Sequence, residues 1–318
     1  MFKLYFAESI SILFNMVYFV FLFARNIELF FNLKITENKK ISIILSFFFL
    51  LFPPALYRID WHPALFAHWT LILTVFLMLR KDNHVDKSWM LLILLTSLIH
   101  FYFTVINLII FNLVKVFDYF YKKINLKSYL STIFTCHITL IILMYVVGYF
   151  EVRVIDTFAL GFGTYKLNIL SILDSTNSHT NTAWSWIIPG LNLSREEELE
   201  GFNFVGLGGL SLVIFGFYLL FNDKKLRSSL NKKFINGTYI SLVVIFLLSL
   251  SNNISIGNLK VLSIPLTDYF YGPLSIIRSS GRLFWIISYF VIFASIFLIH
   301  KKFKKKSFLI FLIIVAIK

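Results

Sequence analysis

The chain consists of long apolar runs separated by short polar stretches. A membrane-spanning helix needs about 20 apolar residues, and runs that approach or reach this length recur along the whole sequence. They lie at 5–24, 41–57, 64–79, 129–150, 203–221, 236–251, 283–300 and 307–318. A further run at 88–118 is too long for one comfortable span, so we expect two passes that turn near His100. The pattern predicts an all-α, polytopic transmembrane helical bundle of about ten segments.

Basic residues fall in five clusters between the apolar runs. If 88–118 makes two passes, all five clusters lie on one side, with 21 of the 30 basic residues and six of the 16 acids. The clusters are 25–40, 80–87, 115–127, 224–233 and 301–306. Cytoplasmic loops of membrane proteins are enriched in Lys and Arg, so this side is predicted to face the cytoplasm. The net charge of +14 therefore indicates orientation, and no nucleic-acid partner is expected.

Composition supports the membrane class. Hydrophobic residues make up 58% of the chain, charged residues 14%, and the mean hydropathy is +0.80. A soluble domain is about 45–50% apolar and about 25% charged, so soluble and disordered classes are excluded. The single cysteine, Cys136, cannot form an intrachain disulfide, which excludes a disulfide scaffold.

The non-membrane part of the chain lies on the predicted outer side. We expect residues 1–318 to form a single transmembrane domain, with 151–201 as a periplasmic loop subdomain. Within this loop, Asn192–Glu197 fits a capping box that starts a helix. The predicted topology leaves the N-terminus outside without a leader, so we expect the chain to be truncated.

A first group of candidate binding residues surrounds the stretch Trp61–Trp69. Asp60 and His62 are expected at the outer membrane edge, and His68 lies deeper in an apolar segment. An ionisable side chain inside a membrane span is a functional candidate by default. His100, at the predicted turn, is a similar candidate. The alternative is that these histidines only hydrogen-bond neighbouring helices.

A second group follows on the outer side. Arg278 and Arg282 precede an apolar run, and arginine binds phosphate in bidentate fashion; the alternative is that both reach lipid headgroups. In the long loop, Lys166 and Trp186 are expected to be exposed, together with Asp174 and Trp184. The aromatic pair suits a sugar face or the interfacial aromatic belt. No metal-ligand spacing is present, and the acids at 196–200 suit a helix start.

Four stretches together resemble an uncharacterised family of bacterial polytopic inner-membrane proteins, which is similar in layout to GT-C glycosyltransferases. The stretches are Trp61–Trp69, Gly161–Asn168 with Trp184–Pro189, Glu200–Gly208 and Ser280–Trp285. The resemblance implies a GT-C-like enzyme in the bacterial cytoplasmic membrane, with a polyprenyl-phosphate sugar donor and transfer on the outer face. It also implies that Asp60, His62, Arg278 and Arg282 line the donor cleft.

The chain departs from the GT-C pattern at its start. GT-C enzymes carry an acidic catalytic residue in the first outer loop, and this sequence has no such loop near Met1. The catalytic residue and the cofactor are therefore unknown, although the analogy admits a divalent cation. A transporter or lipid flippase and a non-enzymatic membrane protein are the alternative functions. Membrane lipid is the expected partner in every case.

Overall fold

A computed structural model describes residues 38–59, 62–80, 85–151, 161–177, 182–191, 193, 200–231, 237–267, 269–270, 274 and 276–317. This part of the chain is mostly helical, as predicted. The helices are α1 (Lys39–Leu50), α2 (Pro53–Leu56), α3 (Trp69–Leu79), α4 (Val85–Ile99), α5 (Phe101–Phe120), α6 (Leu126–Val146), α7 (Gly206–Asn222), α8 (Lys224–Asn231), α9 (Gly237–Leu250), α10 (Trp285–Phe303) and α11 (Ser307–Ala316). The expected span 5–24 and the expected capping box lie outside the described residues.

Three helical segments of the described chain are long and apolar enough to cross a membrane: Phe101–Phe120, Leu126–Val146 and Ser280–Ala316. Four further apolar helical segments are shorter, at Lys40–Leu50, Pro63–Leu79, Gly206–Asn222 and Gly237–Leu250. These helices fit the predicted membrane class by their length and composition. The ten-segment topology stays a prediction.

The long run at 88–118 is divided into two helices, α4 and α5, which pack against each other. The break falls at His100, whose extended backbone ends the first helix and whose Nδ1 accepts a hydrogen bond from the Tyr102 amide (3.2 Å). A side chain that satisfies an open amide of the first turn stabilises a helix start. The turn predicted near His100 is thus confirmed, whereas the crossing of the membrane by both helices stays a prediction.

Two predicted segments, 64–79 and 203–221, are helical as expected, but each begins in a way that hydropathy does not show. The segment predicted at 64–79 opens with a 3₁₀ helix at Pro63–Phe66, and α3 begins only at Trp69. The segment predicted at 203–221 begins at Gly206, which has a φ of 77°. Before Gly206, the Asn203 side chain donates a hydrogen bond to the Gly201 carbonyl (2.7 Å). Such a local side-chain bond competes with helix formation, so the helix begins only after it.

The prediction of an all-α fold is also incomplete, because two long loops, the one predicted at 151–201 and a second at 251–279, contain β-hairpins. In the first loop, β1 (Thr176–Asn177) pairs with β2 (Thr182–Ala183) in antiparallel fashion. In the second, β3 (Asn253–Ile256) pairs with β4 (Leu259–Ser263) around Gly257, which has a φ of 60°. Glycine adopts this left-handed conformation without the usual steric cost.

Contacts divide the chain into two compact units. Unit 1 comprises Met1–Phe76, Val205–Arg227 and Tyr289–Lys318. Within it, α11 packs on α1 and α7. Its core holds an aromatic stack, in which the Phe49 ring lies 4.6 Å from the Phe293 ring and 5.6 Å from the Tyr289 ring, measured between centroids.

Unit 2 comprises Leu77–Phe204 and Ser228–Ser288. Here α5 packs between α4 and α9, and α9 also contacts the 3₁₀ helix Ser280–Phe284. A methyl group at Gly237 would lie 2.8 Å from the Val114 Cα atom. Close backbone approach at small residues is typical of helix packing in membranes. This unit holds both described hairpins, β1–β2 and β3–β4.

Candidate functional site

The two loops that carry the hairpins are joined through one asparagine. The Asn168 side chain donates to the Gly257 carbonyl (2.8 Å) and accepts from the Gly257 amide (2.9 Å). The same oxygen accepts from the Leu170 amide (3.1 Å), which caps the 3₁₀ helix Ile169–Ile172. Because the side-chain amide of Asn168 bonds the backbone of both loops, it holds the first loop against the β3–β4 hairpin.

Three of the four stretches behind the family resemblance meet inside unit 2 at two glycines. The Gly281 amide donates to the Tyr165 carbonyl (3.1 Å). A methyl group at Gly281 would lie 2.9 Å from both the Gly201 Cα atom and the Lys166 carbonyl oxygen. A methyl group at Gly201 would lie 2.5 Å from that same oxygen. Only glycine fits at either position, so backbone contact brings these stretches together.

Arg282 follows this contact and is the central charge of the site. Its side chain is 5% exposed and forms an ion pair with Glu200, which is 16% exposed. The guanidinium carbon lies 4.7 Å from the centroid of the Tyr102 ring. A buried charge is tolerated when it is paired and hydrogen-bonded, and the aromatic face adds a cation–π interaction.

Tyr102 connects the arginine to the α4–α5 turn. Its hydroxyl accepts a hydrogen bond from the Ser279 amide (2.7 Å), and its own amide donates to His100. The His100 and Tyr102 ring centroids are 5.6 Å apart. One tyrosine therefore links His100, at the helix start, to the segment that carries Arg282. We call Tyr102, Glu200 and Arg282 the Arg282 site.

Three buried polar atoms at this site have no hydrogen-bond partner among the described residues: Arg282 Nε, Ser279 Oγ and Asn203 Oδ1. Ser279 is the residue bound by Tyr102, and the Asn203 amide donates to the Gly281 carbonyl (3.3 Å). Most buried polar groups in proteins are paired. The site therefore has hydrogen-bonding capacity that the described protein groups do not use.

Comparison with known proteins adds one finding. The model of a family described as a domain of unknown function, DUF6311, matches residues 11–317. The chain belongs to the DUF6311 family. No curated protein matches the chain, and no solved structure matches it. The DUF6311 match covers nearly the whole chain, including both compact units, and it assigns no activity.

The candidate residues around Trp61–Trp69 belong to unit 1. Asp60 lies outside the described residues, and His62 is exposed beside the 3₁₀ helix Pro63–Phe66. His68 is fully buried, and its Nδ1 lies 3.2 Å from the Tyr289 hydroxyl. The contact agrees with the alternative interpretation, in which the histidine only hydrogen-bonds a neighbouring helix. A binding role for these residues stays a prediction.

The other candidates belong to unit 2. Arg278 is exposed, whereas Arg282, four residues later, is buried. Trp186 is 95% exposed, in agreement with the prediction for the loop. The predicted exposure of Lys166 and Asp174 is wrong, because both are buried. Lys166 Nζ donates a hydrogen bond to the Gly163 carbonyl oxygen (3.4 Å).

Asp174 is buried for a structural reason. One of its carboxylate oxygens accepts from the Thr176 amide (3.0 Å), the Thr176 hydroxyl (2.6 Å) and the Leu191 amide (2.8 Å). A carboxylate that accepts several local amides organises a turn. Asp174 therefore holds the β1–β2 hairpin to the segment that returns from it.

Sequence reasoning missed Tyr102, Glu200 and Asn203. Glu200 was interpreted as helix-start charge, and Tyr102 is one of many aromatic residues in apolar runs. Glu200 and Asn203 do lie in a stretch that carries the family resemblance, and this placement was the available signal. The ion pair between residues 82 positions apart could not be inferred from spacing.

The residues that the structure describes include no group of three or more His, Cys, Asp or Glu side chains that could hold a metal ion. The described residues thus do not fit the divalent cation that the GT-C analogy admits.

Proposed function

We propose that the protein is a membrane-embedded glycosyltransferase with a GT-C-like layout. It takes a sugar from a polyprenyl-phosphate carrier at the outer face of the bacterial cytoplasmic membrane and modifies a cell-envelope glycan or lipid. The observation that carries the proposal is the buried guanidinium of Arg282, positioned by Tyr102 and Glu200. It stands at the start of Ser280–Ala316, a segment apolar and long enough to cross a membrane.

The free hydrogen-bonding capacity of the site suits a phosphate group. Arg282 Nε and Ser279 Oγ are both potential donors without a described partner. Phosphate oxygens accept charge-assisted hydrogen bonds from arginine that are about twice as strong as neutral ones. A phosphate on a membrane-bound carrier would meet these donors at the membrane edge, where its lipid tail stays in the apolar phase.

Glu200 gives the arginine a fixed direction. Its carboxylate pairs with Nη2 of Arg282, whereas the neighbouring Nε has no partner among the described residues. Preorganised donors stabilise charge that develops in a transition state without reorganisation at the moment of reaction. In the proposed transfer, an acceptor hydroxyl oxygen replaces the phosphate oxygen at the anomeric carbon, the bonding electron pair stays on the phosphate, and the hydroxyl proton leaves to solvent.

The orientation of the site is part of the proposal. The basic clusters at 115–127 and 224–233 are predicted to face the cytoplasm. The Arg282 site is separated from them by α5 and α9 along the chain, which supports an outer-face position. The exposed Trp186 is close in sequence to this site and suits contact with a sugar or with the membrane interface.

The test uses the full-length protein reconstituted in vesicles with a radiolabelled polyprenyl-phosphate-linked hexose. We expect saturable binding of the polyprenyl phosphate by the wild type. Arg282→Lys keeps the charge but loses the planar fork. Because a hydrogen bond to a charged group contributes about 1.5–3 kcal/mol, this change is expected to weaken binding about tenfold or more.

Lys260→Gln is the matched control, since Lys260 is an exposed cation on β4 of the same unit. It is expected to bind the carrier as the wild type does. The proposal fails if the wild type binds no polyprenyl phosphate, or if Lys260→Gln and Arg282→Lys lose the same affinity. Movement of the carrier across the vesicle membrane without sugar transfer contradicts the proposal and favours the flippase alternative.

A further inference from the structure

Unit 1 carries a dense group of exposed cations at the end of its apolar helices. Three lie at the start of α8, two in the last turn of α10 and three in the 3₁₀ helix between α10 and α11. We call these residues the inner basic cluster: Lys224, Lys225, Arg227, Lys301, Lys302, Lys304, Lys305 and Lys306. All eight are exposed, and the sequence predicts that they face the cytoplasm.

An ion pair joins the two halves of the cluster. Lys302 Nζ donates to Asp223 Oδ2 (2.6 Å), and Asp223 Oδ1 accepts from the Leu226 amide (3.0 Å) at the start of α8. Leu226 is buried, which anchors the start of α8 in unit 1. The α8 start and the α10–α11 turn therefore form one continuous surface instead of two independent loops.

The α10–α11 turn has a defined conformation. Lys304 lies in the left-handed region with a φ of 48°, which is uncommon for a non-glycine residue. The Ser307 hydroxyl donates to the Lys304 carbonyl (2.5 Å) and lies 2.9 Å from His300 Nδ1. Side-chain bonds therefore hold the turn that presents three consecutive lysines.

The described part of this surface is strongly basic. Among the described residues of unit 1, Asp223 is the only acidic side chain, and it pairs with Lys302. A dense group of exposed cations creates a positive potential that attracts anions. The surface therefore suits an anionic partner of high charge density.

The position of the cluster identifies that partner. The cations directly follow α7 and separate α10 from α11, and all three helices are apolar. Phe217, Phe221 and Leu309 are exposed on these helices close to the cations along the chain. Exposed apolar side chains followed by exposed lysines match the order of lipid tails and headgroups, whereas a nucleic acid would meet no such apolar border.

We propose that the inner basic cluster is a binding site for anionic phospholipid headgroups of the cytoplasmic leaflet. The lysines and Arg227 contact the headgroup phosphates, and the exposed aromatic residues at the end of α7 border the lipid tails. Clusters of four to eight basic residues next to a spanning helix attract anionic lipids, at about 1 kcal/mol per residue near the surface. This inference is independent of the Arg282 site and of the proposed transferase activity.

The experiment measures lipid selectivity of the full chain in vesicles of phosphatidylglycerol and phosphatidylcholine. Electron spin resonance of spin-labelled forms of each lipid reports the fraction that the protein immobilises. We expect the wild type to prefer phosphatidylglycerol, and this preference is expected to weaken as the salt concentration rises. Lys305→Gln/Lys306→Gln is expected to lower the preference about fivefold or more, which corresponds to the contribution of at least one lysine.

The control is Lys260→Gln, which removes an isolated exposed charge from β4 in unit 2, on the predicted outer side. It is expected to change the preference less than twofold, or about 0.4 kcal/mol. Equal losses per removed charge in the two variants would overturn the proposal, because they would indicate a general charge effect. The absence of any preference in the wild type would overturn it too, as would displacement of labelled phosphatidylglycerol by a short RNA at low concentration.

Discussion

The pair formed by Glu200 and Arg282 should dominate the stability of unit 2 outside the helices. Glu200→Gln keeps the shape of the side chain and removes its charge, so the buried guanidinium loses its counter-ion. Arg282 is 5% exposed and its Nε has no described partner. Without Glu200, little solvent is available to compensate this cation.

The expected magnitude follows from the burial of the two partners. Removing one partner of a buried ion pair costs about 3–5 kcal/mol of unfolding free energy. Glu200 is 16% exposed, so we expect about 3 kcal/mol for Glu200→Gln, at the lower end of that range. Arg282→Met also loses the contact with the Tyr102 ring, which contributes about 1 kcal/mol. The double variant removes both charges, so its loss should be smaller than the sum of the single losses by about 2 kcal/mol.

The assay is reversible denaturant unfolding in mixed micelles, followed by tryptophan fluorescence, with the four proteins of the double-mutant cycle. Lys123→Gln is the control, because it breaks an ion pair to Asp118 in which the lysine is 45% exposed. It should cost less than about 1 kcal/mol. Strict additivity of Glu200→Gln and Arg282→Met would refute the reasoning, since it would mean that the two charges do not interact.

Three further predictions test single contacts. Tyr102→Phe keeps the ring under Arg282 but removes the acceptor for the Ser279 amide. We expect it to lower the unfolding free energy by about 1–3 kcal/mol in the same assay, and an unchanged value contradicts this role. Gly216→Ala should lower the unfolding free energy by about 1–3 kcal/mol through overpacking, since the new methyl group would lie 2.3 Å from Ser295 Oγ. An unchanged value would show that α7 and α10 move apart without cost. The hydrogen bond from Lys302 lowers the pKa of Asp223 below its usual 3.8, as does the Leu226 amide. The stability that Asp223 contributes is therefore present at neutral pH and lost as the pH falls through the lowered pKa, so the melting temperatures of wild type and Asp223→Asn should converge in acid and differ at pH 7.

The helical class and its apolar segments could be predicted because they depend on composition over long stretches of the chain. Apolar runs and the lack of charge within them can be read from the sequence, whatever the packing of the helices. The turn near His100 was predictable from the distribution of basic clusters. Helix starts were less predictable: α7 begins at Gly206 because Asn203 bonds the preceding backbone, and such local competition does not appear in hydropathy.

The site could be predicted only in part. Arg282 was recognisable as a phosphate-binding type of residue before an apolar helix, but nothing in the spacing distinguished it from the exposed Arg278. The distinction depends on Tyr102 and Glu200, which reach Arg282 from distant parts of the sequence. Lys166 was expected in solvent because it lies in a polar loop, yet its backbone packs between two glycines and its side chain is buried.

The central claim is that the Arg282 site takes a sugar from a polyprenyl-phosphate carrier. The most direct measurement is sugar transfer from a radiolabelled polyprenyl-phosphate-linked hexose to cell-envelope material by the full-length protein in vesicles. The account predicts transfer by the wild type and by Lys260→Gln, and a loss of about tenfold or more in Arg282→Lys. Transfer that is unchanged in Arg282→Lys, or absent in a folded wild type that is given donor and acceptor, would contradict it.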